Sequence, residues 1–367
     1  MKVLLMPNSL KGSLSAAAFC KAAAPALKGG IKAEYLPVSD GGDGILDVFS
    51  AAYPKAKKYN VTVLDAVHNK HKAPYLILPD TKTCIIETAK ICGLGVLRKD
   101  QLDPLGATSY GVGQVIKAAI KRGAKIFYVG LGGVGCNDCG TGMAAALGWA
   151  FKDADGKDIR LGAKPLLDLK EIGHAPQILK GIKFIGLSDV TNPLLGKNGS
   201  AYIYGPQKGA NPAQVKVLEA AMANCARVVK KCLKRNINKA RCGAAGAIAA
   251  GMAGFLNAEL KDGGSFILNR IKAADEIKHC DIVITAEGKL DKQTFYGKAP
   301  LAVCKLAKKY KKPVVFICGV NEVKDFALLK KHNIVKVIEL SSYAGGAEES
   351  FKNPAKYLPI AIKDALK

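Results

Sequence analysis

The sequence predicts an α/β protein: a doubly wound parallel-sheet domain built from both ends of the chain, with a second, mixed α/β domain inserted between them. Three observations carry this expectation. Strand-like apolar runs alternate with helical segments at both ends, the pattern of a parallel sheet. In between, the rhythm changes to closely spaced strand-like runs joined by turns. The 367 residues suit about two domains.

Taken in order, Val3–Met6 is a short apolar strand and Ser13 a plausible N-cap for an alanine-rich helix to about Leu27. Glu34–Val38 is a second strand, followed by the loop Ser39-Asp40-Gly41-Gly42-Asp43-Gly44 and a helix from about Ile45. Tyr59–Leu64, Ala73–Leu78 and Cys84–Thr88 read as an antiparallel meander with turn chemistry at Asn69 and Pro79-Asp80. A domain boundary therefore belongs near Lys57. A helix over Tyr110–Arg122, a strand Lys125–Val129, a glycine-rich loop and a helix Gly142–Ala150 follow. Then come a strand Phe184–Leu187, a long helix Pro212–Arg235 and an apolar, small-residue helix Gly243–Leu256 that should be buried. From Asp281 the β-α rhythm returns, with strands Ile282–Thr285, Val314–Cys318 and Val335–Leu340. Residues 1–57 and 281–367 thus form the discontinuous domain, and residues 58–280 the insert.

Composition excludes several classes. With 49% hydrophobic and 23% charged residues, disorder is not the dominant state. No apolar run approaches the length of a membrane span, and Met1–Met6 is too short for a signal-peptide core. A cytoplasmic protein is expected. The 11 cysteines are spread over the chain and fit reduced thiols; Cys136 and Cys139 form a lone CxxC with no second pair. The net charge of +25 raises the question of a basic nucleic-acid-binding protein. Against it, only seven of the 55 basic residues are Arg, the lysines are scattered over helix faces, and no aromatic residues interleave.

No G-x-x-x-x-G-K-[ST] and no G-x-S-x-G occur, so neither a P-loop nor a nucleophile elbow is present. Gly130, Gly132 and Gly135 satisfy G-x-G-x-x-G after a strand, with Asp153 and Asp155 about 20 residues on, which allows a NAD-binding oxidoreductase as a remote alternative. Those acids lie in a turn, so amides facing phosphate are the better reading of this loop. Pro7–Gly12, Asp40–Gly44 and Thr285–Asp291 each follow a predicted parallel strand of the split domain, and Ser188–Pro193 is similarly polar. Lysine, carboxylates and amides converging on one sheet edge suit a small anion beside a metal nucleotide.

These segments carry a family resemblance that spans nearly the whole chain. Pro7-Asn8-Ser9-Leu10-Lys11-Gly12-Ser13-Leu14, Asp40–Gly44, Gly132–Gly140, Asp189–Gly196, Gly205-Pro206-Gln207-Lys208-Gly209-Ala210, Thr285–Thr294 and Gly297-Lys298-Ala299-Pro300 follow, in order, the motifs of bacterial glycerate kinases of the D-glycerate 2-kinase type. The chain departs from them at Asn8 (usually Asp), Asp43 (Glu), Val134 (Ser) and Ala286 (Gly). The resemblance implies a flavodoxin-like domain, an inserted α/β domain and an active site in the cleft between them. It also implies ATP, Mg²⁺ and D-glycerate as ligands, with 2-phosphoglycerate favoured over 3-phosphoglycerate.

Phosphoryl transfer through a loose transition state needs positioning and charge neutralisation above all. Asp189, with Asp40 second, is the candidate base, and Lys11, counted with them as catalytic, or Lys208 is the cation that neutralises phosphate charge. Ser9, Asn192, Asp291, Gln293 and Thr294 are expected to hold glycerate. Gly132, Gly133, Asn137, Asp138, Gln207 and Lys208 are expected around the nucleotide, and Asp189 and Glu287 at the metal. A kinase for another small hydroxy acid, or a family member that has lost activity through Asn8, is the main alternative. Neither a nucleic acid nor a membrane is an expected partner, and the assembly is a monomer or homodimer.

Overall fold

The computed structural model describes residues 1–296 and 298–366, and the side chains of all these except Gln293 and Tyr296. The strands are β1 (Lys2–Pro7), β2 (Lys32–Tyr35), β3 (Lys57–Leu64), β4 (Lys70–Leu78), β5 (Thr83–Glu87), β6 (Ile126–Gly130), β7 (Phe151–Lys152), β8 (Glu171–Ile172), β9 (Lys183–Ser188), β10 (Glu259–Asp262), β11 (Ile282–Leu290), β12 (Val314–Asn321) and β13 (Ile334–Glu339). They belong to two compact units. One takes Met1–Asp40, Asp47–Pro54 and Gly263–Lys367; the other takes Gly41–Leu46 and Lys55–Asp262.

The first unit holds a five-stranded sheet in the order β13-β12-β11-β1-β2, parallel throughout. Counted along the chain within this unit, that is 2-1-3-4-5, the order of the flavodoxin-like domain that the family resemblance implied. Its switch point lies between β1 and β11, where an open α/β sheet leaves room for a ligand beyond the strand ends. Both faces of β1 are sealed. Val3 and Leu5 pack with Ile284, Ala286, Val315 and Ile317 under Phe19, Leu358 and Ile362, while Leu4 and Met6 on the opposite face are equally buried. That is why these strands are continuous apolar runs and do not alternate. The chain continues extended beyond β2, where the amides of Leu36 and Val38 donate to the carbonyls of Leu5 and Pro7.

The helix after β1 covers Ala16–Ala23 and starts later than predicted. Ser15 caps it, its Oγ accepting from the Ala18 amide at 3.1 Å. Ser13 instead donates its hydroxyl to the Phe351 carbonyl.

The second unit holds a six-stranded mixed sheet in the order β10-β9-β6-β5-β4-β3. β3-β4-β5 is the expected antiparallel meander, and β5, β6, β9 and β10 run parallel. The helix Ile248–Phe255 is buried on every side, as its composition demands. Phe127 stacks on Phe184 with ring centroids 5.0 Å apart, and Phe151 meets Phe255 edge-on. β10 was not expected: Glu-Leu-Lys-Asp has no apolar periodicity, and it survives as a charged edge strand paired only with β9.

Candidate active site

In the first unit, β1 ends at Pro7 and the loop that follows is drawn onto β11. The Asn8 amide donates to the Ala286 carbonyl at 2.9 Å, and Asn8 Oδ1 accepts from the Ser9 amide at 2.9 Å. A Cβ on Gly288 would stand 3.3 Å from the Lys11 backbone nitrogen, so Gly288 lets this loop lie against β11. Lys11 itself is exposed.

Beyond the switch point lies a knot of charge. Glu287, nearly buried, accepts from Lys298 Nζ at 2.7 Å and from Thr294 Oγ1 at 3.1 Å. Asp291 Oδ1 accepts from the Thr294 amide at 3.1 Å, which fixes the hydroxyl's position. Burial pushes the Glu287 carboxyl up; Lys298 pulls it back, and the charge of Asp40 pushes it up again. Burial favours the neutral amine of Lys298, yet Glu287, Asp291 and Asp40 together hold its ammonium above the ordinary lysine range. The structure thus brings Asp40, Glu287, Asp291 and Thr294 together. It adds Lys298, which the sequence reading gave no role although it lies in the quoted Gly-Lys-Ala-Pro string. The Gln293 side chain lies outside the described residues.

In the second unit, the glycine-rich loop Leu131–Gly140 follows β6. Gly130 and Gly132 permit close approach: a Cβ on the first would stand 2.6 Å from the Gly41 carbonyl oxygen, and on the second 3.1 Å from the Gly42 Cα. Gly133, at φ +64°, sits beside the Asp43 carboxylate. Asn137 and Asp138 are fully buried. Asp138 Oδ2 accepts from the hydroxyl and amide of Ser109, from Thr108 Oγ1 and from the Gly142 amide, while Oδ1 accepts from the Gly140 amide. Asp138 thereby ties the loop before the helix Tyr110–Lys121 to the start of the helix Thr141–Leu147. Asn137 Oδ1 and the Cys136 carbonyl both accept from Lys208 Nζ, at 2.9 and 2.6 Å. Burial pulls this ammonium down to about 8. Lys208 therefore grips the glycine-rich loop from inside the core, and Gln207 beside it is exposed.

Glu87 at the end of β5 drew no attention in the sequence. It is buried, its Oε2 accepts from the Leu46 amide at 3.4 Å, and burial pushes its carboxyl up. The CxxC contributes two thiols to the core of the second unit. Both thiols are buried and pushed well above the ordinary range, Cys136 against Cys92 and Cys139 against Cys225. Asp153 closes its own turn by accepting from the amides of Asp155 and Lys157, in keeping with the turn read from the sequence.

After β9 comes Asp189, half-buried at the strand's carboxyl end. Tyr204 donates its hydroxyl to Asn192 Oδ1 at 2.8 Å, and burial together with the Asp189 charge pushes its phenol up to about 12. Asn192 Nδ2 in turn donates to the Asn198 carbonyl at 2.8 Å. Asp189, Asn192 and Tyr204 thus form one cluster.

The glycerate kinase family model matches residues 3–367. The chain belongs to the glycerate kinase family. It is 37% identical over 363 residues to a glycerate 2-kinase of Escherichia coli K12, covering 96% of this chain and 93% of that protein. It is 32% identical to a glycerate kinase of Bacillus subtilis strain 168, covering 99% and 96%. Among solved structures, one described as a glycerate kinase 2 from Salmonella typhimurium LT2 superposes with a TM-score of 0.84 at 30% identity, covering 100% of this chain and 97% of the other. Membership of this family of phosphotransferases agrees with a fold that gathers carboxylates and a lysine at the ends of parallel strands.

Proposed function

We propose that the chain transfers the γ-phosphoryl group of ATP to D-glycerate, giving 2-phosphoglycerate. The observation that carries this reading is the cluster of Asp40, Glu287, Asp291, Thr294 and Lys298 beside the β1–β11 switch point of a family member. The name of the Escherichia coli relative supports the 2-position.

In this reading the chain's residues supply position and charge. Lys298, held cationic by its acidic neighbours, neutralises charge on the transferring group or on the glycerate carboxylate, and Lys11 adds a second exposed cation. Asp189 accepts the proton of the attacking hydroxyl. Asn192, fixed by Tyr204, and Thr294, fixed by Asp291, orient substrate hydroxyls. Asn137 and Asp138 are bound into the loop's interior, so they shape the loop; the Gly135 and Gly140 amides donate to the Cys92 carbonyl and to Asp138, and those of Gly132 and Gly133 face the nucleotide.

Mg²⁺ usually binds through one or two carboxylates with phosphates and water completing its shell. Asp40, half-exposed beside the Glu287–Lys298 pair, fits this habit. Asp40 is the carboxylate that would hold the ion, which when bound would neutralise phosphate charge. Glu287 does not suit that role, because both its oxygens are engaged and one faces an ammonium.

The test is phosphorus NMR of the protein with ATP, Mg²⁺ and D-glycerate. A new phosphomonoester resonance split into a doublet by one proton is expected; coupling to two protons means 3-phosphoglycerate, and no new resonance overturns the reading.

A further inference from the structure

We infer that Arg241 is a positioning residue for the Asp189 loop, a role that rests on the reading of Asp189 as the base. Its Nη1 donates to the carbonyls on either side of Asp189, to Ser188 at 2.8 Å and to Val190 at 3.4 Å. Its Nη2 stands 3.6 Å from Asp262 Oδ2. Asp262 closes β10 and is paired in register with Ser188, so the carboxylate that steadies the guanidinium belongs to the strand beside the one it serves.

The backbone repeats the clamp. The Arg241 amide donates to the Thr191 carbonyl at 3.2 Å, and the Gly243 amide to the Asn192 carbonyl at 3.0 Å. A Cβ on Gly243 would fall 2.3 Å from the Pro193 oxygen, so the two segments run in direct contact. Arg241 takes up this position at φ +70°, a region few residues other than glycine occupy. Such a conformation persists only where the surroundings impose it. The choice of residue is the second argument. This chain uses lysine for all but seven of its 55 cations. A lysine's single ammonium has no planar fork that can reach two carbonyls and a carboxylate at once. A 1 Å misplacement of a catalytic group costs about 100-fold in rate, and that is the error this clamp prevents.

The experiment compares full-length wild type with Arg241→Ala and Arg241→Lys. Hydrogen–deuterium exchange of the peptide covering residues 188–193 is expected to quicken about tenfold or more in both variants, with β5 and β6 unchanged. With ATP, Mg²⁺ and D-glycerate, kcat is expected to fall about 100-fold while either KM moves less than about threefold. Guanidinium ion at low, non-denaturing concentration is expected to restore activity to Arg241→Ala. Unchanged exchange overturns the assignment. So does a loss of kcat that only tracks the folded fraction, or wild-type turnover in Arg241→Lys. If wild type itself leaves D-glycerate untouched, the functional reading fails, and the exchange measurement alone decides whether Arg241 orders the loop.

Discussion

Asp138 is the clearest case of a polar residue whose chemistry is internal. Donors from Thr108, Ser109, Gly140 and Gly142 surround its carboxylate. Asp138→Asn puts an NH₂ group among donors, so it is expected to cost about 2–3 kcal/mol in urea unfolding, because hydrogen bonds to a charged, buried acceptor are the strong ones. Lys208 gives a pH signature. Its ammonium loses its proton at about 8 in the folded protein against 10.5 for an ordinary lysine, because burial disfavours the charge. Between those values the unfolded chain binds more protons, so this residue's contribution to stability rises with pH. Below about 8 the desolvation cost is present in full. Wild type is therefore expected to gain about 2 kcal/mol or more relative to Lys208→Met between about pH 7 and about pH 10, read as the difference between their urea unfolding curves.

At the scale of elements, glycines decide how closely loops approach. An alanine at Gly130 would press on the Gly41 carbonyl and on Ile45 Cγ2, which lies 3.1 Å from the missing Cβ. Gly130→Ala is expected to cost about 1–3 kcal/mol in thermal or urea unfolding. The same elements show what a sequence can reveal. The strands of the first unit were legible because Val3–Met6, Ile282–Ile284 and Val314–Cys318 are unbroken apolar runs, as strands of a sheet buried on both faces are. β10 was not, since an edge strand needs no apolar pattern. In the site, Asp40, Asp291 and Thr294 stood out because they lie in loops dense with glycine and carboxylates. Lys298 was overlooked because one lysine among so many carries no signal until its partner Glu287 is seen. Arg241 and Glu87 act through contacts to distant backbone, Ser188 and Leu46, which no local spacing encodes.

Over the whole molecule, the +25 charge sets a field that draws in anions. Screening shortens its reach from about 30 Å at 0.01 M salt to about 8 Å at 0.15 M. If ATP is the phosphoryl donor, kcat/KM for ATP is expected to fall as salt is raised across that range while kcat holds, which steady-state rates at fixed Mg²⁺ would show. The placement of β1 has a consequence for how the protein is made. Met6 and Thr285 are joined by a hydrogen bond yet lie 279 residues apart. At about 5–20 residues per second, β1 leaves the ribosome on the order of 15–60 seconds before the strand that completes its pairing. Over that interval the strands of the second unit are synthesised consecutively and can close their own sheet, while β1 has β2 as its sole sheet neighbour and keeps its other edge open, so a holding chaperone has most to do at the β11-facing edge of β1.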